Sequence, residues 1–198
     1  ECNNSFVEFD SSKKSNKMKF HLSVRPRLTN SKLTYKYYTE SIKFGNETAI
    51  GVGLEGEFVL PFNKNKWAVI IEPTFQSYKA NKKDYTNVYD VKVDLKTIEV
   101  PFGGRYYMFL NQNSKLFVNA LYMYNIDLSS SFDYTYKGKT YSKLDINSSG
   151  NFAFGFGYKF KDRFNLEVRY SANRKVMDYI STETDYSTLS FILGYTIF

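Results

Sequence analysis

The chain has one cysteine, Cys2, one histidine, His21, and four prolines in 198 residues. A single cysteine forms no internal disulfide and no cysteine metal cluster; Cys2 reads as the stub of an upstream region. One histidine leaves Ser–His–carboxylate chemistry a single candidate base, and no acidic cluster has calcium-loop spacing. No metal, cofactor or catalytic residue is expected. Nothing at the start resembles a leader peptide, so residue 1 reads as a mature or trimmed end. Long hydrophobic runs are lacking as well: no uninterrupted stretch of AVILMFWYC residues exceeds five. A membrane-crossing helix needs about 20 mostly apolar residues, but a β-barrel strand needs only about 9–11 alternating ones. The mean hydropathy of −0.44 cannot register such alternation.

Two nucleotide-like motifs fail on context. "AIGVGLEGEFVLPF" contains Gly51-x-Gly53-x-x-Gly56, which in a dinucleotide fold ends a strand and opens a helix. Here Ile50, Val52, Leu54, Phe58 and Leu60 fall on one face, with Gly51, Gly53, Glu55 and Glu57 on the other. That period of two belongs to a strand, which Pro61 and a polar turn then end. Gly138-Lys139-Thr140 lacks the upstream glycine of a phosphate loop, because Asp133 stands there. The net charge of +7 does not read as a nucleic-acid footprint, since the lysines scatter over turns and strand ends.

What the chain has in plenty is aromatic alternation: 18 Tyr and 18 Phe. Eight segments alternate, at about 18–28, 49–60, 67–78, 88–108, 115–136, 141–160, 164–172 and 187–198. In the fourth the phase slips between Leu95 and Ile98, so a bulge is expected there. The connections 63–66, 111–114 and 161–163 are short, whereas 29–48, 79–87 and 173–186 are longer. Short turns on one rim and longer loops on the other describe an eight-stranded antiparallel transmembrane β-barrel, with periplasmic turns and termini and longer extracellular loops. Residues 1–16 then form a periplasmic tail or the end of an upstream region, and 17–198 the barrel.

A soluble lipocalin-like barrel would have the same period with its apolar face inward. Three features favour the membrane barrel. Glycines 51, 53, 103, 155, 157 and 194 share the polar face, where a narrow lumen has little room. That face mixes Arg25, Arg27, Arg105 and Arg169 with Glu55, Glu57, Glu72, Glu99 and Glu167, both signs being able to pair inside. Tyr, Phe and Trp67 cluster towards strand ends, as aromatic girdles do.

Four stretches, "GVGLEGEFVLPFNKNKWAVIIEPTFQSYK", "IEVPFGGRYYMFLNQNSKLFVNALY", "NFAFGFGYKFKDRFNLEVRYS" and "LSFILGYTIF", resemble the small outer-membrane β-barrels of the Bacteroidetes, the PorT-like superfamily. More narrowly they are similar to the C-terminal barrel of flavobacterial outer-membrane proteins with an extra N-terminal region. The resemblance implies the bacterial outer membrane and assembly by the barrel machinery, but no activity. Such barrels usually end in a lipid-phase aromatic; Phe198 sits one step out of the phase set by Tyr195 and Ile197.

The functional expectation is a non-enzymatic barrel: a membrane anchor, adaptor or subunit of a larger outer-membrane assembly. Its partners would be outer-membrane lipid and other outer-membrane or periplasmic proteins, with no nucleic acid. "LTYKYYTESIKF" offers Tyr35, Tyr37, Tyr38 and Phe44 as an interaction loop, although the same residues could simply continue two tall strands. Alternatives are a narrow gated pore or a small-ligand barrel, followed by an outer-membrane enzyme. His21 belongs at the periplasmic rim, out of reach of loop-side substrates. The mixed charges are expected to pair into a closed plug, because an unpaired buried charge costs several kcal/mol.

Overall fold

A computed structural model describes residues 18–37, 40–83, 89–128, 131–136, 139–142, 150–179 and 182–198; towards one end of the strands only the backbone is described. Eight strands make up the fold. They are β1 (Lys19–Tyr37), β2 (Glu40–Val59), β3 (Trp67–Ile71 and Thr74–Lys83), β4 (Tyr89–Phe109), β5 (Ser114–Asp127 and Ser131–Tyr136), β6 (Lys139–Ser142 and Gly150–Phe160), β7 (Phe164–Tyr179) and β8 (Thr182–Thr196). Each pairs antiparallel with the next. The last returns to the first, with Val24 opposite Tyr195 and Leu28 opposite Phe191. A sheet closed on itself leaves no edge, so no backbone N–H or C=O row is offered to lipid.

Alternation decides which side meets the membrane. From Gly150 to Phe160 every second residue is buried and every other one exposed. Phe152, Phe154, Phe156, Tyr158 and Phe160 lie outside; Asn151, Ala153, Gly155, Gly157 and Lys159 lie inside. The same holds around the barrel, where Leu54, Val69, Val118, Leu166, Val168 and Phe191 are exposed while Glu55, Arg105, Glu167 and Arg169 are fully or almost fully buried. A soluble barrel would have the reverse arrangement, so the apolar exterior is the lipid-facing surface.

The strand proline in β3 costs little. Pro73 cannot donate, but its carbonyl still accepts from the Leu54 N–H at 3.0 Å, and Glu72 N–H reaches the Pro101 carbonyl at 2.9 Å. The register on both sides of Pro73 is unbroken. Two interior glycines fit the close-packing reading. A Cβ on Gly53 would lie 2.6 Å from Thr74 Oγ1 and 3.0 Å from Glu72 Oε1, and one on Gly155 would run into the Glu167 carboxylate. These glycines leave the space in which carboxylates lie flat against the wall.

Three expectations change. The bulge expected between Leu95 and Ile98 is absent on the β3 side, where Tyr78 through Thr74 pair in step with Leu95 through Glu99, but on the β5 side the register moves by one residue between Thr97 opposite Asp127 and Asp94 opposite Ser131. The stretch 29–48 is not a loop, because β1 continues to Tyr37 and β2 begins at Glu40, paired along their length with one register shift between Ser31 and Leu33. Likewise β7 and β8 run to Tyr179 and from Thr182, so strands carry much of the barrel's height on this side. Phe198 is not stranded by its phase. The strand ends at Thr196, and the Phe198 ring comes within 6.4 Å of Phe20 on the outer face. Its carbonyl meanwhile accepts from the Leu22 N–H at 2.8 Å.

Phe156 occupies the middle of the outward row of β6. Phe156→Arg should lower stability by about 2–4 kcal/mol in vesicle-reconstituted protein. Urea unfolding followed by tryptophan fluorescence of Trp67 would measure it; a loss below about 0.5 kcal/mol would contradict a lipid-facing position.

Candidate functional site

The lumen concentrates the chemistry of the barrel. Among the described residues, ten charged side chains are buried there, namely Arg25, Arg27, Arg105, Arg169, Lys159, Glu55, Glu57, Glu72, Glu99 and Glu167. Five carry positive charge and five negative, so this buried set is neutral although the protein carries +7. Strands β1, β2, β3, β4, β6 and β7 all contribute, through positions that alternate with lipid-facing ones.

Nine of the ten form a single alternating chain. Lys159 Nζ donates to Glu57 Oε2 at 2.6 Å, and Arg105 Nη1 reaches Glu57 Oε1 at 3.3 Å. Arg105 also grips Glu55 with both terminal nitrogens, at 3.0 and 2.7 Å. Glu55 is shared with Arg25, which also binds Glu167. Arg169 joins Glu167 Oε1 at 2.7 Å to Glu72 Oε2 at 2.8 Å, and Glu72 ends the chain on Arg27. Two-pronged contacts between planar groups are the strongest ion-pair geometry, and they fix register as well as charge. Glu99 lies against Gln76, whose amide, with its nitrogen turned towards Glu99, donates to both carboxylate oxygens at 2.9 and 3.0 Å and accepts from Thr29 at 3.0 Å.

Neutral groups complete the filling. Arg105 Nε donates to Asn119 Oδ1 at 2.8 Å, and the guanidinium lies 4.4 Å from the Phe117 ring centroid. The Tyr107 hydroxyl donates to Glu57. Ile70, Leu121, Met123 and Ala153 pack into one apolar cluster beside the charges, and Val59, Ala68, Tyr107 and Phe117 into another. Three hydroxyl pairs, Ser23–Thr196, Thr29–Ser190 and Ser31–Tyr186, each 3.0 Å, line the β1–β8 seam.

At the short-turn rim, Lys115 Nζ sits 2.5 Å from Asp162 Oδ1 and 4.1 Å from the Tyr107 ring centroid. Partial burial pushes the Asp162 carboxyl up, but the Lys115 hydrogen bond and the charges of Lys115, Lys159 and His21 outweigh it and hold the pKa below the usual value. His21 stands opposite Glu57 in the β1–β2 register, half-buried in the lumen phase.

All nine charges expected in the lumen are therefore inside, eight of them in the chain and Glu99 beside it. Sequence reasoning missed Lys159 and Tyr107. Both were signalled by phase, since Lys159 follows Gly155 and Gly157 at steps of two and Tyr107 follows Arg105. Of the expected interaction loop, Tyr35 and Tyr37 belong to β1 and Phe44 to β2, with Leu33 opposite Phe44 and Tyr35 opposite Ile42. Tyr38 and all four side chains lie outside the described residues. Among the described residues no group of three or more His, Cys, Asp or Glu could hold a metal.

Removing one member of the chain leaves a buried charge uncompensated. Arg105→Met should cost about 3–5 kcal/mol in denaturant unfolding, and adding Glu55→Leu should recover part of that loss; strictly additive losses would show that the two residues are not coupled. Asp162 should titrate below 3.8. A depressed folded value means its contribution is present above that pH and is lost as pH falls further. Carboxyl carbon NMR in micelles would read the midpoint, and one at or above 3.8 would dismiss the Lys115 clasp.

Comparison with solved structures finds several similar chains. OprG from Pseudomonas aeruginosa, an outer membrane protein, is 14% identical over 89% of this chain and 95% of its own, with a TM-score of 0.54. Neisserial surface protein A is 10% identical over 90% and 98%, with a TM-score of 0.48. Ail, the attachment invasion locus protein of Yersinia pestis, is 16% identical over 87% and 98%, with a TM-score of 0.44. At such identities OprG speaks for the fold alone, and the other two add no argument. No curated protein matches the chain. The family model described as the outer membrane protein beta-barrel domain matches residues 10–173, and with its lipid-facing exterior and charge-paired lumen the chain belongs to that family.

Proposed function

We propose that this barrel is a non-catalytic membrane base: an anchor, adaptor or subunit of a larger outer-membrane assembly. The carrying observation is the lumen. A chain of nine alternating charges, linked across six strands and backed by Phe117, Leu121 and Met123, occupies the space an aqueous path would need. An eight-stranded barrel encloses a lumen about wide enough for side chains to fill.

Within the family, the stretches around Gly51–Gly56 and Gly155–Gly157 support a place with the PorT-like barrels of the Bacteroidetes. The strands extend far beyond the apolar row on the rim away from the termini, to Tyr37 and Glu40 and to Tyr179 and Thr182, and this asymmetry supports a periplasmic location for the rim at 60–66, 110–113 and 161–163 and for both termini. The opposite ends of β1 and β2 rise together to Tyr37 and Glu40, and the Tyr35, Tyr37, Tyr38 and Phe44 positions are the surface this reading offers to a protein partner.

Planar-bilayer recording tests the reading. The refolded barrel should show heat-modifiable gel migration and no steady single-channel current at neutral pH. A steady current changed by Arg105→Ala or Glu72→Ala would replace the closed base with a narrow pore, since both residues would then line the conducting path.

A further inference from the structure

The outer surface is not uniformly convex. At the short-turn rim a depression of about 360 Å³ opens across β6, β7, β8 and β1, walled by Tyr158, Phe160, Phe164, Leu193, Tyr195 and Pro26. Its volume falls in the roughly 300–1,000 Å³ range of small-ligand sites. Its walls carry almost no polar surface, and it lies on the lipid side of a barrel of the outer-membrane family. An apolar chain is the chemistry that fills it.

The turn at its edge supplies the second half of the argument. Lys161, Asp162 and Arg163 connect Phe160 to Phe164, two of the groove's own walls, within three residues. The turn is held tightly: Arg163 N–H donates to the Phe160 carbonyl at 3.1 Å, and the Arg163 carbonyl accepts from Thr196 N–H at 2.8 Å. Asp162 is drawn to Lys115. Its charge is thereby committed, while Lys161 and Arg163 are both exposed. The Lys161 ammonium stands 5.3 Å from the Phe160 ring centroid, beside the groove wall. An apolar cleft with two cations at its interfacial edge complements a molecule with a hydrocarbon tail and an anionic head.

We propose that this groove is a phospholipid site, taking one acyl chain between β6 and β8 and the phosphodiester of an anionic glycerophospholipid against Lys161 and Arg163. The proposal rests on the reading that places the short-turn rim at the periplasmic, glycerophospholipid leaflet. Neighbouring rim cations do not share the arrangement. Lys64 and Lys66 belong to the turn before Trp67, away from the groove, and Lys66 stands 6.0 Å from the Tyr106 ring. Charge at the rim and charge at the site can therefore be separated by mutation.

Native mass spectrometry of the refolded full chain in detergent, with phosphatidylglycerol and phosphatidylcholine supplied at equal concentration, tests the site. The unaltered protein should retain phosphatidylglycerol in preference. Lys161→Gln with Arg163→Gln should reduce that retention by about tenfold or more, because each interfacial cation contributes about fivefold. Lys64→Gln with Lys66→Gln should leave it unchanged. Leu193→Trp, which fills the cleft, should lower retention of both lipids and guards against failure of the charge variant to fold, a point read by heat-modifiable migration. Equal retention by the Lys161/Arg163 variant, or an equal loss in the Lys64/Lys66 variant, would overturn the proposal. Both lipids reach the barrel in detergent, so the result does not depend on which way the protein sits in the cell, and lost preference counts against the site itself and not against the orientation.

Discussion

A guanidinium withdrawn from water loses several kcal/mol of solvation unless carboxylates meet it with good geometry. Four arginines and a lysine stand inside this barrel, and the rest of the structure is arranged around that demand. The carboxylates come from β2, β3, β4 and β7, each aimed inward by strand phase. The chain's alternation of sign lets one carboxylate serve two cations: Glu55 serves Arg25 and Arg105, and Glu72 serves Arg27 and Arg169. Sharing of this kind makes the interior a single network whose members depend on one another. It also explains Gly53 and Gly155, whose missing side chains are the recesses in which Glu72 and Glu167 lie.

The outer face obeys a simpler rule. Lipid asks only that the surface be apolar and that no backbone group remain unpaired, so many side chains can serve. Leu, Val, Ile and Phe follow one another there without evident order, while aromatics gather near the short-turn rim, where Trp67 packs 4.9 Å from Tyr106 and Phe20 4.9 Å from Phe58. Specificity in this molecule is concentrated inside and at the turns.

Those two rules account for what could be read from the sequence. Where one face meets lipid and the other the lumen, hydrophobicity must change sign at every residue. Glu55, Arg105, Glu167 and Arg169 could therefore be placed inside from their neighbours alone. Above the lipid band both faces meet a polar environment and that forcing ends. The paired ends of β1 and β2 beyond Leu28 and before Ala49 carry no such pattern and looked like loop. The slip read near Leu95 matches a one-residue shift of register against β5, while the pairing with β3 runs through unbroken. Which charge bridges which was not legible at all. Arg25 finds Glu167 across 142 positions of sequence, a meeting set by closure and stagger of the whole sheet. Lys159 escaped notice because the lysines read as belonging to turns and strand ends, although its phase placed it with Gly155 and Gly157.

The hydroxyl-lined seam between β1 and β8 has a temporal consequence. The first strand of the barrel can complete its pairing only with the last. Until β8 arrives, Arg25 and Arg27 lack the closed wall that holds them against Glu167 and Glu72. A partly inserted intermediate would expose unmatched charge to hydrocarbon. The cost of that unmatched charge favours a sheet that closes as it inserts.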